Sequence, residues 1–143
     1  MRKASNSLYM IGTVLTLFAL PLFAILIFVS FSISSPGYLP NIVEEIKSGA
    51  INPGDLPGTP EEQALAIQAY FRTFAIVFLV FGILNVAKFV MAITAKRSNS
   101  NPFHITVLVL SVLTVGPLLI LASIFALVMN KKEGEVEEIN ASY

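Results

Sequence analysis

Three long apolar runs, separated by polar segments, organise the chain. The first, residues 8–33 (LYMIGTVLTLFALPLFAILIFVSFSI), carries no charge. At roughly 26 residues it exceeds the ~20 that a helix needs to cross a hydrocarbon core. It predicts a spanning helix preceded by a short tail, residues 1–7. Pro21 lies inside the run and removes one backbone donor, which predicts a bend near residues 17–20. A cleaved secretory signal is the rival reading, because Arg2 and Lys3 form a basic start and Ser32 and Ser34 are small. The run is longer than the ~7 to 15 residues of such signals, and Pro36 fits poorly beside a cleavage site.

The second run, residues 73–95 (TFAIVFLVFGILNVAKFVMAITA), contains Lys88. Lys88 stands about two turns before Lys96 and Arg97, so its stem is expected to snorkel toward that basic end. A central lysine costs ~3 kcal/mol on insertion, which six or more Leu, Ile, Val or Phe at ~0.3 to 0.6 kcal/mol each offset. At about 100° per residue, Gly82, Asn85, Lys88, Ala92 and Ala95 share one arc, with Phe78, Phe81 and Phe89 interleaved. This arc reads as a helix-packing face that meets protein, either as interhelical hydrogen-bonding contacts or as part of an anion path.

The third run, residues 103–129 (FHITVLVLSVLTVGPLLILASIFALVM), is interrupted by Gly116 and Pro117. Its roughly 27 residues would make ~40 Å of helix, whereas two full crossings need roughly 40 residues. Two geometries remain: a kinked third crossing, or a half-depth re-entrant hairpin folded at Gly116-Pro117. A hairpin has to bury its turn against protein, since exposed backbone in hydrocarbon is costly. Ser111, Thr114 and Ser123 can repair the backbone in either case.

Composition agrees with this pattern. Hydrophobic residues make up 55% and charged residues 13%, with a mean hydropathy of +0.78, too apolar to cover a soluble core. The fold class is an all-α integral membrane protein, a helical bundle of three apolar segments with the third kinked or re-entrant. There is no cysteine, which excludes disulfides, thiolate metal sites and cysteine nucleophiles. No basic stripe marks a nucleic-acid partner. The expected partners are the lipid bilayer and another membrane protein or further copies of this chain.

Basic residues set the orientation. Arg2 and Lys3 before the first run, and Lys96 and Arg97 opening the loop 96–102, place the N-terminus and that loop on the cytoplasmic side of a plasma membrane. Residues 34–72 then face outward, where Glu44, Glu45, Asp55, Glu61 and Glu62 outnumber Lys47 and Arg72. Within this segment Asn41 is expected to cap a short helix that Gly49 ends. Thr59, Pro60 and Glu62 read as a capping box that starts the second long helix. Between them NPGDLPGTP is a turn-rich connector.

The tail, residues 130–143, carries a conflict. Three crossings would export it, yet Lys131 and Lys132 mark a cytoplasmic end; a hairpin resolves this. Its glutamates suggest a solvated tail, and Asn140-Ala141-Ser142 matches a glycosylation sequon.

Candidate chemistry is sparse. His104, the one histidine, has no second ligand or orienting carboxylate nearby in sequence and reads as a residue of the cytoplasmic rim. No nucleophile elbow, phosphate loop or zinc-protease motif occurs. No Asp or Glu lies in an apolar run, which argues against proton-coupled export. No enzyme and no cofactor are expected.

The basic N-terminus, the long first run with its early Gly12, the outer segment, the second run ending in AKR and the apolar C-terminal part ending in KK form an ordered pattern. That pattern resembles the small uncharacterised multispan membrane proteins of Gram-positive bacteria, and the resemblance implies a bacterial plasma membrane. In such proteins the last apolar region usually reads as two segments; here it is short for that. Three functions fit the sequence: an accessory, regulatory or immunity-type protein acting through helix packing, an oligomeric pore using Lys88 and Asn85, or an outer segment that recognises a ligand.

Overall fold

The computed structural model describes residues 2–98 and 100–141. Met1, Asn99 of the predicted loop, and the end of the tail with Ser142 of the sequon lie outside the described residues. Helices α1 (Arg2–Ile33), α2 (Leu39–Lys47), α3 (Pro60–Ser98), α4 (Asn101–Leu113) and α5 (Pro117–Ala141) make up the fold, with a 3-10 turn at Pro36–Tyr38. No strand occurs among the described residues. Two helices, α1 and α3, are long and apolar enough to cross a membrane. At 32 and 39 residues they extend about 48 and 58 Å.

The short N-terminal tail is part of α1, which is helical from Arg2 onward. One cap differs from expectation. The short outer helix begins at Leu39 with Tyr38 at its N-cap, so Asn41 lies inside it; Pro40, with its preset φ, fits the first turn better than Asn41 fits the cap. The acidic segment continues α5 as helix to Ala141, consistent with the helix propensity of its Lys and Glu residues. Backbone on both sides of Pro21 is helical.

The chain divides into two compact units, Leu22–Gly82 and a second built from Met1–Pro21 and Ile83–Tyr143. In the first unit, the end of α1 is held by α3. The Gln68 side-chain amide donates to the carbonyl of Ile33 (3.2 Å), an acceptor that the helix end leaves orphaned, and to that of Ser35 (2.7 Å) just beyond it. Thr59 N–H donates to Glu62 Oε2 (2.8 Å) and Glu62 N–H to Thr59 Oγ1 (3.3 Å), a reciprocal cap that starts α3 at Pro60. Gly49 (φ 77°) follows the end of α2 in the left-handed region that glycine adopts without a Cβ penalty. Ile42 of α2 is buried, and Lys47 Nζ donates to Glu61 Oε1 at 2.7 Å.

The other unit packs the first part of α1, the last part of α3, and the pair α4 and α5. Its core is Tyr9, Ala92, Ala95, Val107, Leu119, Ala122 and Ala126. Four alanines among seven residues allow close approach of helix axes, the packing used where helices associate without a hydrophobic driving force. Gly12 serves the same end, since a Cβ there would stand 2.7 Å from Leu119 Cγ.

Candidate functional site

Helices α4 and α5 are joined by Thr114, Val115 and Gly116 and run back alongside each other. Their far ends are tied by Asn130, whose Nδ2 donates to Asn101 Oδ1 at 2.7 Å. The turn is a Schellman closure: Gly116 N–H donates to the Ser111 carbonyl (2.7 Å) and Val115 N–H to the Val112 carbonyl (3.4 Å). The left-handed position falls on Val115 (φ 51°), one residue before the glycine that would occupy it without strain. Pro117 then opens α5, where a missing N–H costs nothing.

Lys88 reaches this turn. Its Nζ donates to Thr114 Oγ1 at 2.7 Å, and Thr114 Oγ1 donates to the Leu110 carbonyl at 2.7 Å. The ammonium thus sits at the C-terminal end of α4, where a helix dipole favours positive charge. A Cβ on Gly116 would lie 3.4 Å from Nζ, so glycine keeps this approach open. The expected snorkelling toward Lys96 and Arg97 is corrected here: the tip of the hairpin offers a hydroxyl and a dipole nearer to hand.

The predicted packing face is occupied by the chain itself. Asn85 and Lys88 are each only 4% exposed and Ala92 is fully buried. Gly82, in the other unit, faces Phe23 and Ile27 of α1. Of the residues proposed to repair the backbone, Thr114 does so on Leu110, and Ser123 Oγ donates to the Leu119 carbonyl at 2.8 Å. Ser111 Oγ is buried without a protein partner.

A second cluster joins three helices and was not legible in the sequence. Tyr9 Oη of α1 lies 2.7 Å from His104 Nδ1 of α4 and 3.0 Å from Ser123 Oγ of α5. All three residues are buried. His104 is therefore not a residue of an exposed rim: Tyr9 draws its ring inward, the two ring centroids standing 5.5 Å apart. Close by, Ser5 Oγ donates to the Ala122 carbonyl at 3.0 Å, a further tie between α1 and α5. No signal within a short window could reveal this cluster, since 95 residues separate Tyr9 from His104.

Beside His104 lies a small cavity of about 10 Å3, lined by Ser5, Asn6, Lys96, Asn130 and apolar neighbours. Among the described residues no three His, Cys, Asp or Glu side chains converge as metal ligands would. The arrangement can hold charge and hydrogen bonds inside an apolar bundle, at the hairpin tip through Lys88 and near the hairpin base through His104. Comparison with known protein families, with characterised proteins and with solved structures finds no match to this chain.

Proposed function

We propose that this protein is a non-enzymatic, multi-pass protein of a bacterial plasma membrane, an accessory, regulatory or immunity-type protein that acts by helix packing with a membrane partner or with copies of itself. The observation that carries this reading is an inverted distribution of side chains. Large apolar residues face outward, among them Phe18 (74% exposed), Phe28 (73%) and Ile83 (61%), while Ser5, Thr16, Asn85, Lys88, His104 and Ser123 are buried. A water-soluble fold would reverse this, whereas lipid accepts it. Because Asn85, Lys88 and Ala92 are taken up within the chain, contact with a partner uses the outward faces of α1 and α3.

In this reading α1 and α3 cross the bilayer and α4–α5 is a re-entrant hairpin. The 13 residues of α4 extend about 20 Å, short of the ~30 Å hydrocarbon core. The hairpin brings Lys131 and Lys132 back beside Asn101, the end at which Lys96 lies with Asn6 and Asn130. All the basic flanks then lie on the cytoplasmic side with the N-terminus, and the conflict over the tail disappears.

The test is labelling of single cysteines by a membrane-impermeant thiol reagent in intact cells, free of background because the chain has no cysteine. Ser35→Cys should label, and Ser98→Cys and Gly134→Cys should be protected until the membrane is permeabilised. Labelling of Gly134→Cys from outside would replace the hairpin with a third crossing. For the packing role, a photo-crosslinking residue at Phe18 or Ile83 should yield a discrete dimer or partner adduct in membranes. Adducts with lipid alone would overturn that role.

A further inference from the structure

Each of the three apolar runs gives way, at the base of the hairpin, to a polar residue that lines one cavity. Asn6 stands just before the first run, Lys96 follows the second and Asn130 follows the third. All three line the cavity of about 10 Å3, together with Ser5, so α1, α3 and α5 bring polar side chains from just beyond their apolar lengths to a single place. Two of the four are already engaged: Ser5 Oγ donates to the Ala122 carbonyl and Asn130 Nδ2 to Asn101 Oδ1. Asn6 and Lys96 are exposed, and among the described residues neither side chain has a protein partner.

The charge at this end has one sign. Residues 2–7, 95–104 and 126–132 hold six Lys or Arg and no Asp or Glu, and no carboxylate lines the cavity beside Lys96. An ammonium next to an amide suits a phosphate group, which accepts charge-assisted hydrogen bonds. The cavity has room for little more than the centre of one water molecule, so a phosphate belongs at its rim, where Asn6 and Lys96 are exposed. Away from that rim the surface turns apolar. Met10 and Val14 stand one and two turns from Asn6 on the same side of α1, and both are exposed. A polar rim with an apolar row leading from it matches an amphiphile better than a soluble anion.

We propose that this rim binds the phosphate of one anionic phospholipid of the cytoplasmic leaflet, with Lys96 as the countercharge, Asn6 as an amide donor and an acyl chain laid along Met10 and Val14. The site rests on the membrane reading above, in which the ends of the three apolar runs lie at the level of the lipid headgroups. Basic pockets between membrane helices on the cytoplasmic side bind such headgroups. Position separates a site from the general attraction of a basic surface. Lys132 carries the same charge at the same end and is exposed, but it does not line the cavity.

The test is native mass spectrometry of the full-length protein released from nanodiscs of equal parts phosphatidylglycerol and phosphatidylcholine. The unaltered protein should retain one phosphatidylglycerol in preference to phosphatidylcholine, a readout that needs no variant to fold. Lys96→Gln and Asn6→Leu should each lower the retained fraction about tenfold, the change expected when a hydrogen bond to a charged group is lost. Lys132→Gln, which removes the same charge away from the cavity, should change it by less than about twofold. Equal losses in Lys96→Gln and Lys132→Gln overturn the site in favour of diffuse attraction, and equal retention of the two lipids overturns its preference for an anion. Displacement of the lipid by inorganic phosphate overturns the lipid as occupant. A chain that alkaline carbonate strips from cell membranes removes the membrane reading and this site with it, whereas an inserted chain that retains no phosphatidylglycerol overturns the site alone.

Discussion

Lys88 Nζ donates to Thr114 Oγ1 at 2.7 Å, so the lysine of the second apolar run closes the tip of the hairpin formed by the third. The two substitutions that break this bond should differ. Thr114→Val leaves a buried ammonium without its hydroxyl and should destabilise by about 1.5–3 kcal/mol, the range for hydrogen bonds to charged groups. Lys88→Met removes the charge together with its desolvation cost, while Thr114 still bonds Leu110. It should fall within about 1 kcal/mol of the parent or exceed it. Equilibrium unfolding in detergent micelles measures both, and the reverse order would mean that the ammonium does not depend on Thr114.

Val115 should be the residue whose replacement most readily stabilises the turn. A β-branched side chain in the left-handed region costs about 1–2 kcal/mol. Glycine removes that strain and returns about 0.5–1 kcal/mol of it as unfolded-chain entropy. Val115→Gly should therefore raise stability by roughly 0.5–1 kcal/mol, and Val115→Ala, which keeps the Cβ, should gain little. A loss of stability in Val115→Gly, read from the same unfolding curves, would show that the valine side chain contributes more than its backbone costs.

The two long apolar helices were legible because an unbroken apolar run of more than twenty residues leaves the backbone few options but helix, and the helix start at Pro60 because Thr59 and Glu62 sit at cap spacing. Gly116-Pro117 announced an interruption but not its geometry, since the same pair serves a kink and a reversal. What decides it is nonlocal: the Asn101–Asn130 bond, the packing of α4 on α5, and Lys88 at the turn. The direction of Lys88 was misread for that reason; along one helix the nearest polar anchor is Lys96, but in three dimensions it is Thr114. In the sequence His104 reads as a residue of the cytoplasmic rim and Tyr9 is one more position of the first apolar run, and only the assembled bundle brings them together.

The Lys47–Glu61 pair gives a pH dependence of defined sign. The hydrogen bond from Lys47 holds the Glu61 carboxyl below its ordinary value of 4.5. A carboxyl depressed in the folded state contributes stability that is complete above the ordinary glutamate range and lost as pH falls through the folded value. Lys47→Met should move the Glu61 titration, followed by 13C carboxyl resonances, back up toward 4.5. Salt near 1 M should act in the same direction, since both side chains are more than half exposed and open to screening. A Glu61 titration unchanged in Lys47→Met would assign the shift to backbone and Thr59 hydrogen bonds instead.

Gly12 and Leu119 offer a test of how tightly the hairpin is held against α1. A Cβ at position 12 would stand 2.7 Å from Leu119 Cγ and 2.8 Å from Cδ2, closer than real contacts allow. Alanine in a helix gains about 1 kcal/mol over glycine, while overpacking costs about 1–3 kcal/mol. The contact is with Cγ near the root of a buried side chain, so the clash should prevail and Gly12→Ala should lose about 1 kcal/mol net. Leu119→Ala alone should lose about 2–5 kcal/mol through the cavity it leaves. In the double variant the added methyl enters space that the leucine has vacated, so the losses should fall short of additive by about 0.5–3 kcal/mol. Strict additivity would mean that α1 and α5 separate readily at this level, and that the Ser5–Ala122 and Tyr9–Ser123 bonds hold the hairpin without help from packing at Gly12.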